Sequence, residues 1–366
     1  MNNKNYYCII MAGGMGRRFW PYSRKQLPKQ FLDFFGTGQT LLRMSYDRCK
    51  GLILPENIYI TTHVDYKDIV KQILPEIDDK HLILEEERRN TAPSLAYASH
   101  LIQTENPNAT IVVAPSDQLI LNMDNFRESI RKGLDFASTS GKLINVGIKP
   151  TRPETGYGYI QIDEEREGEN GEFCKVKTFI EKPALEFAEV FVNSNEFYWN
   201  SGIFIWHVDT IMNAFHENMT DVCPRLECET PDFSACPNIS IDYSIMEKAD
   251  NVYVQICDFG WADIGTWQSL YDATPKDVNH NVIMNSNSLL YDCNDNIILM
   301  PKDKLIVAQG LDGYIIAEHD NVLLICKKEE QNSIRKFESF KKLRNQSIVN
   351  ILNITRNIND LSVLLM

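Results

Sequence analysis

Residues suited to phosphate chemistry cluster early in this sequence. The segment Met11-Ala-Gly-Gly-Met-Gly-Arg-Arg-Phe-Trp-Pro21 follows a short apolar run. Glycines there let backbone N–H groups turn toward a bound phosphate with no Cβ in the way. Ala12, Gly13, Gly14 and Gly16 form the candidate loop, with Arg17 and Arg18 directly after it. A guanidinium fork matches phosphate oxygens. Lys29, in Ser23-Arg-Lys-Gln-Leu-Pro-Lys-Gln30, adds another cation. Two common phosphate loops are excluded. The Gly-Lys-Ser/Thr of a P-loop is absent, and Phe19 stands where a dinucleotide fingerprint needs its third glycine. The plainer alternative is a tight strand-to-loop turn with no ligand; the cations behind the loop weigh against it.

Two distant aspartates suit a metal ion. Asp117 lies in Ala114-Pro-Ser-Asp-Gln118, and Asp263 in Gly260-Trp-Ala-Asp-Ile-Gly-Thr-Trp267. One or two carboxylates plus substrate phosphates is the usual setting for Mg²⁺ in phosphoryl transfer. Alone, either aspartate could equally cap a turn. Three further segments, Thr155-Gly-Tyr-Gly-Tyr159, Glu181-Lys-Pro183 and Trp199-Asn-Ser-Gly202, could each be an ordinary turn or bulge. Glu87-Arg-Arg-Asn-Thr-Ala-Pro93 precedes an expected helix N-terminus, where backbone N–H groups are unpaired. A helix cap would need the same Asn90 and Thr91.

In this order the segments resemble the signature of the sugar-phosphate nucleotidyltransferases, Gly-x-Gly-Thr-Arg followed by a Pro-Lys pair. Phe19–Phe31, Arg89–Pro93 and Gly260–Trp267 resemble one branch in particular, the mannose-1-phosphate guanylyltransferases. The resemblance implies a reaction of GTP with α-D-mannose 1-phosphate to give GDP-mannose and diphosphate. It implies Mg²⁺ held by Asp117 and Asp263, Glu181 on sugar hydroxyls, and Lys182 on the sugar phosphate. Gly156, Tyr157 and Asn200 would line the hexose pocket, and Asn90 and Thr91 would lie near the base and ribose. Arg18 matches the family arginine and, with the glycine loop, would hold the departing pyrophosphate. Lys29 would neutralise charge on the α-phosphate. Arg17 stands where the family usually has Thr or Ser, and is either an extra phosphate contact or a solvated side chain. Gln118 stands where the family more often has His, and no ligand role is given to it. Three other readings stay open: another sugar 1-phosphate or UTP or dTTP as substrate, a non-catalytic subunit that binds nucleotide sugar, and, weakened by Phe19, a dehydrogenase.

These residues need a scaffold that gathers distant segments. Strands are expected at Tyr6–Met11, Ile58–Thr61, Leu82–Leu84, Thr110–Ala114 and Leu143–Gly147. Helices are expected between them near Leu41–Lys50, Asp65–Leu74, Pro93–Gln103 and Asp124–Ser138. This alternation predicts an α/β fold with a Rossmann-like, mostly parallel mixed sheet flanked by helices, and ligands outside the carboxyl ends of its strands. Strands at Tyr157–Ile162, Val176–Glu181, Ile203–Trp206 and Val252–Cys257, with helices near Ala184–Asn193 and Asp209–His216, continue the same domain. Short apolar strands at Ile297–Met300, Leu305–Ala308, Tyr314–Ala317 and Val322–Cys326, split by Asp, Asn and Gly turns, predict a small C-terminal β-rich domain. The expected division is 1–280 catalytic, 281–345 β-rich with a helical start after Glu329, and 346–366 a tail with no assigned structure. No internal repeat of fixed period is visible.

Composition narrows the partners. A net charge of −13 over 366 residues opposes nucleic-acid binding. No apolar run approaches the roughly 20 residues of a membrane helix, and no signal peptide is visible. Nine cysteines occur without a CxxC pair. Cys223, Cys228 and Cys236 sit closest together, with no histidine at zinc-ligand spacing, so reduced thiols in a cytoplasmic protein are expected. The family often pairs through its C-terminal region, so the resemblance admits a homodimer. Some relatives carry a further isomerising domain of cupin type; the chain stops short of it, and no isomerase activity is expected.

Overall fold

A computed structural model describes residues 3–228 and 231–334. The tail at 346–366 and the helical reading past residue 334 lie outside the described residues. Two compact units form. The first joins the described residues up to Gly14 to Leu41–Asp263; the second joins Met15–Thr40 to the described residues from Ile264 onward. The chain thus passes between units within the glycine-rich segment and directly after Asp263.

The first unit contains eleven strands among the described residues. They are β1 (Tyr6–Met11), β2 (Ile58–His63), β3 (Leu82–Glu85), β4 (Thr110–Pro115), β5 (Gln118–Ile120), β6 (Leu143–Ile148), β7 (Gly158–Glu167), β8 (Phe173–Glu181), β9 (Phe197–His207), β10 (Val252–Cys257) and β11 (Trp261–Asp263). Nine of them form one mixed sheet in the order β3-β2-β1-β4-β9-β6-β10-β8-β7. Its parallel pairs are β3–β2, β2–β1, β1–β4 and β6–β10. Strand β9 enters antiparallel between β4 and β6, and β7 and β8 pair antiparallel at the edge. The Rossmann-like order therefore belongs to the first half of the sheet. Strands β1 and β6 are almost wholly buried and apolar, as a sheet covered on both faces requires.

The helices are α1 (Leu41–Lys50), α2 (Lys67–Ile73), α3 (Thr91–Glu105), α4 (Met123–Ser140), α5 (Leu185–Ser194), α6 (Val208–Asn218) and the short α7 (Cys223–Leu226). In α3, Leu95, Ala98 and Ile102 lie on one fully buried face. In α4, Phe126, Ile130, Leu134 and Ala137 recur at helical spacing and are buried. Asn122 caps its start by accepting from Asn125 N at 3.0 Å, and Gly141 in left-handed conformation ends it. Gly133 lets α4 lie close to β9: a Cβ there would stand 2.4 Å from Ile205 Cδ1.

The second unit holds helix α8 (Trp267–Ala273), with its capping box of Thr266 and Ser269. Phe19 is fully buried in this unit, its ring 4.9 Å from Phe34 and 5.3 Å from Trp267. Six strands follow: β12 (Val282–Met284), β13 (Asn287–Tyr291), β14 (Ile297–Leu299), β15 (Leu305–Gln309), β16 (Tyr314–His319) and β17 (Val322–Lys327). Strands β12, β14 and β16 stack in parallel on one face, and β13 and β15 on the other. The chain therefore winds as a flattened parallel coil, closed by antiparallel β17. Val282 pairs with Ile297 and Ile297 with Ile315, so successive turns take 15 and 18 residues. Unequal turns leave no fixed period in the sequence.

Asparagines hold the coil's turns together. Asn296 Nδ2 donates to Asn281 Oδ1 and to Leu311 O, both at 2.9 Å, and its Oδ1 accepts from Tyr314 N at 2.9 Å. Asn296 is 1% exposed, and an alanine there leaves the Tyr314 N–H without its acceptor, while Leu311 O keeps Asn294 N and Asn281 Oδ1 keeps the residue-296 backbone N–H. At about 1–3 kcal/mol for one such stranded group, Asn296→Ala is expected to destabilise this unit by about 1–3 kcal/mol. A lower urea midpoint for loss of its strand signal checks this.

Candidate active site

In the first unit β1 ends at the glycine loop. Ala12 is buried; its N–H donates to Thr61 O at 2.8 Å, and its carbonyl accepts from Thr62 Oγ1 at 2.9 Å. The loop's start is thus fixed to β2. Beyond it, a Cβ on Gly13 or Gly14 would meet nothing within 4 Å, so these backbones face open space, as a phosphate loop needs.

Asp117 follows β4 in a turn and leads into β5. Strand β5 pairs antiparallel with β11, in a register that sets Asp263 against Gln118. The two aspartates, far apart in sequence, therefore stand one residue apart across a three-residue ribbon. Gln118 itself is buried and donates from its amide to Ser201 O, while Arg48 donates to the Gln118 carbonyl at 2.8 Å. The glutamine's amide nitrogen and backbone carbonyl thus fasten the ribbon. Each aspartate offers oxygens of the kind that hard divalent cations take.

A chain of contacts runs from this ribbon along the unit. Tyr157 Oη donates to Asp263 O at 3.4 Å, and its ring packs edge-on to Trp199 and Trp261 at 5.3 and 5.2 Å. Burial, then the Asp263 charge, raises the Tyr157 phenol far above its ordinary range, so it stays a neutral donor. The Tyr157 carbonyl accepts from Lys182 N at 3.2 Å. Lys182 has φ of 49°, a left-handed backbone that non-glycine residues avoid, and its ammonium pairs with Glu181. Gly158 lies opposite Glu181 in the β7–β8 register. A Cβ at Gly158 would stand 2.7 Å from Glu181 Oε2 and 3.4 Å from Asn200 Cβ. The glycine keeps that space clear. Gly156 N donates to Glu154 Oε1 at 2.9 Å, which shapes the loop before it.

Asn200 is on a strand, where the sequence suggested a turn before Ile203. Strand β9 begins at Phe197 and bulges after Asn200, with Gly202 at φ of 70°. The Asn200 amide is held from both sides: Oδ1 accepts from Asn145 Nδ2 at 2.9 Å, and Nδ2 donates to Asp242 Oδ1 at 2.8 Å. Sequence reasoning missed Asp242. It opens a single π-turn (Asp242–Met246), a form often found at functional sites. Burial raises its pKa, against the opposing pull of the Asn200 hydrogen bond and the Lys182 charge. No local motif marks a π-turn; its partner Asn200 was the available signal.

The same segment reaches the nucleotide-side candidates. Thr91 Oγ1 accepts from Ile241 N at 2.9 Å, next to Asp242. Asn90, at φ of 67°, caps α3 by accepting from Thr91 N at 2.9 Å. Both residues thus do structural work that a cap explains. Glu85, at the end of β3, was also missed. It is buried, and burial pushes it up to about 7, against the Ser94 hydrogen bond and the Arg88 charge.

The second unit holds the remaining cations. Lys29 is buried, and its Nζ donates to Ile264 O at 2.7 Å. Arg18 donates from Nη1 to Gly265 O at 3.3 Å. Both long side chains are thereby fixed on the backbone segment that opens with Ile264. Gly16, at φ of 54°, makes room: a Cβ there would stand 2.8 Å from both Lys29 Cγ and Ser23 Oγ. Among the described residues no helix is long and apolar enough to cross a membrane, and no cysteine is in a disulfide.

Residues 7–280 match the family model described as nucleotidyl transferase. A putative mannose-1-phosphate guanylyltransferase of Vibrio cholerae is 32% identical over 355 residues, covering 93% of this chain and 75% of the relative. A mannose-1-phosphate guanylyltransferase of Escherichia coli is 34% identical over 357 residues, covering 90% of this chain and 74% of the relative. A crystal structure from Thermus thermophilus, described as a mannose-1-phosphate geranyltransferase, superposes with a TM-score of 0.82 at 28% identity. It covers 93% of this chain and 99% of that one.

Proposed function

This chain belongs to the nucleotidyl transferase family, and from that premise we propose that it is a mannose-1-phosphate guanylyltransferase, converting GTP and α-D-mannose 1-phosphate to GDP-mannose and diphosphate. The observation that carries this reading is the contact chain in the first unit, from the Asp117–Asp263 ribbon through Tyr157 and Lys182 to Asn200 and Asp242. On this reading the ribbon end takes the cation and the phosphates, and the Asn200 end takes the sugar hydroxyls. A carboxylate such as Glu181 accepts from two hydroxyls at once, which suits a hexose.

The sugar phosphate attacks the α-phosphorus of GTP in line, and pyrophosphate leaves. The attacking oxygen is already ionised near neutral pH, so no side chain need act as a base. The difficulty is repulsion between anions: unit like charges 4 Å apart repel by about 4 kcal/mol at an effective dielectric near 20. Lys182 offsets this by holding the sugar phosphate. Lys29 neutralises the α-phosphate, and Arg18 the leaving pyrophosphate. The backbone N–H groups of Gly13 and Gly14, with Gly16 and Arg17, take the nucleotide phosphates, and Asn90 and Thr91 take the nucleoside. Gly156, Tyr157, Glu181 and Asn200 position the hexose. Asp117 and Asp263 would hold Mg²⁺, which when bound neutralises phosphate oxygens and fixes their orientation. The proposal assigns catalysis to residues 1–280, a cytoplasmic location, no nucleic-acid or membrane partner, and a homodimer.

Pyrophosphate release across four nucleoside triphosphates and several sugar 1-phosphates tests the reading. Release with GTP and mannose 1-phosphate above all other pairs is expected. A preference for UTP or dTTP, or for another sugar, overturns the substrate assignment, and silence across the grid overturns the enzyme reading.

A further inference from the structure

No histidine stands at zinc-ligand spacing from the cysteines in sequence, but the fold brings one to Cys223. His216, at the end of α6, lies over the short α7, where Cys223 opens the helix and Glu227 closes it. His216 Nε2 is 2.7 Å from Glu227 Oε1. One ligand atom each from His216, Cys223 and Glu227 fall within 4.8 Å of one another. The thiol is buried, the carboxylate half-buried and the imidazole exposed, so the cluster has an apolar floor and an open mouth.

We propose that His216, Cys223 and Glu227 form a binding site for a borderline-soft divalent cation of the zinc class, separate from the all-oxygen pair Asp117 and Asp263. The donor set decides the class: a sulfur, an imidazole nitrogen and one carboxylate suit zinc and its neighbours, whereas Mg²⁺ takes oxygens. The reach is adequate. Zinc bonds of about 2.0–2.3 Å set tetrahedral ligand atoms roughly 3.3–3.6 Å apart. The widest pair must therefore close by up to about 1 Å, and the 2.7 Å pair must open, which rotation of the exposed His216 supplies. Three protein ligands leave a fourth position for water. Cys223 binds such a cation as its thiolate, so binding releases the thiol proton. The ion would tie the end of α6 to α7. Both helices pack on α3, whose first turn carries Thr91.

The rival account is a plain hydrogen-bonded cluster of thiol, carboxylate and imidazole. Titration of the metal-stripped full chain with Co²⁺ separates the two. One equivalent is expected to produce an intense thiolate-to-cobalt charge-transfer band, displaced by Zn²⁺. Cys223→Ser is expected to abolish the band. His216→Ala, an exposed change that leaves the core intact, is expected to weaken Co²⁺ binding by roughly 10-fold or more. Cys228→Ser and Asp263→Ala should leave the band unchanged. Absence of the band at one equivalent, its survival in Cys223→Ser, or unaltered Co²⁺ affinity in His216→Ala overturns the site. Because the readout is spectroscopic, its failure is distinguishable from a failure of guanylyl transfer.

Discussion

Asp263→Ala is expected to lower kcat by roughly 10³-fold while leaving the protein folded. The structural side follows from the backbone. Asp263 is the last residue of β11, and its strand pairing with Gln118 and the Tyr157 hydroxyl donating to its carbonyl oxygen are backbone contacts. Alanine keeps both. The functional side follows from charge. One preorganised group that stabilises a transition-state oxyanion contributes about 10²–10³ in kcat, and a metal ligand supports several such contacts together. Asp117→Ala should behave alike, and the double variant should lose little beyond either single one, because groups that act as a unit are not additive. The measurement is steady-state pyrophosphate release over a range of Mg²⁺ concentrations, with a thermal melt as the fold control. Near-normal turnover in a folded Asp263→Ala protein removes it from the cation site.

The ribbon that makes this prediction possible was not legible in the sequence. Strands β5 and β11 are three residues each, too short for any alternation to register. The sequence shows Asp117 and Asp263 separately; only tertiary pairing sets them side by side. Longer elements behave differently. Strands β1 and β10 and helix α1 have the bounds that their apolar patterns predict, because each is long enough to bury a continuous face. Asn200 falls between these cases. Its segment reads as a turn because Asn, Ser and Gly favour turns, yet flanking Trp199 and Ile203 are buried and carry it as a bulged strand. Strands β14 to β17 were legible one by one, but β12 and β13 were not, and neither was the coil, since its turns of 15 and 18 residues share no period. Asp242 and His216 were out of reach for another reason: their partners Asn200 and Cys223 are set by how helices and turns pack on the sheet, not by local spacing.

Lys182→Gly is expected to lower kcat/KM for mannose 1-phosphate by roughly 100-fold, with little change in the KM for GTP and unchanged or slightly higher stability. The choice of glycine matters. Lys182 sits at φ of 49°, a region that costs a side-chain-bearing residue about 1–2 kcal/mol and glycine almost nothing. Holding a lysine there is unfavourable for the fold, which fits a role for its ammonium. Its side chain is 53% exposed beside Glu181, so solvent screens it. The full value of about 4 kcal/mol for a phosphate 4 Å away is discounted to about 2–3 kcal/mol, which corresponds to the expected loss at about 1.4 kcal/mol for each factor of ten. Lys182→Ala should lose the same activity without the relief of backbone strain. Melting temperatures that rank glycine at or above wild type and above alanine, with both variants losing sugar-phosphate affinity alike, fit this account. Equal losses toward GTP and the sugar phosphate would move Lys182 away from the nucleophile. A glycine variant less stable than alanine would mean that the strained backbone has no bearing on the lysine's role.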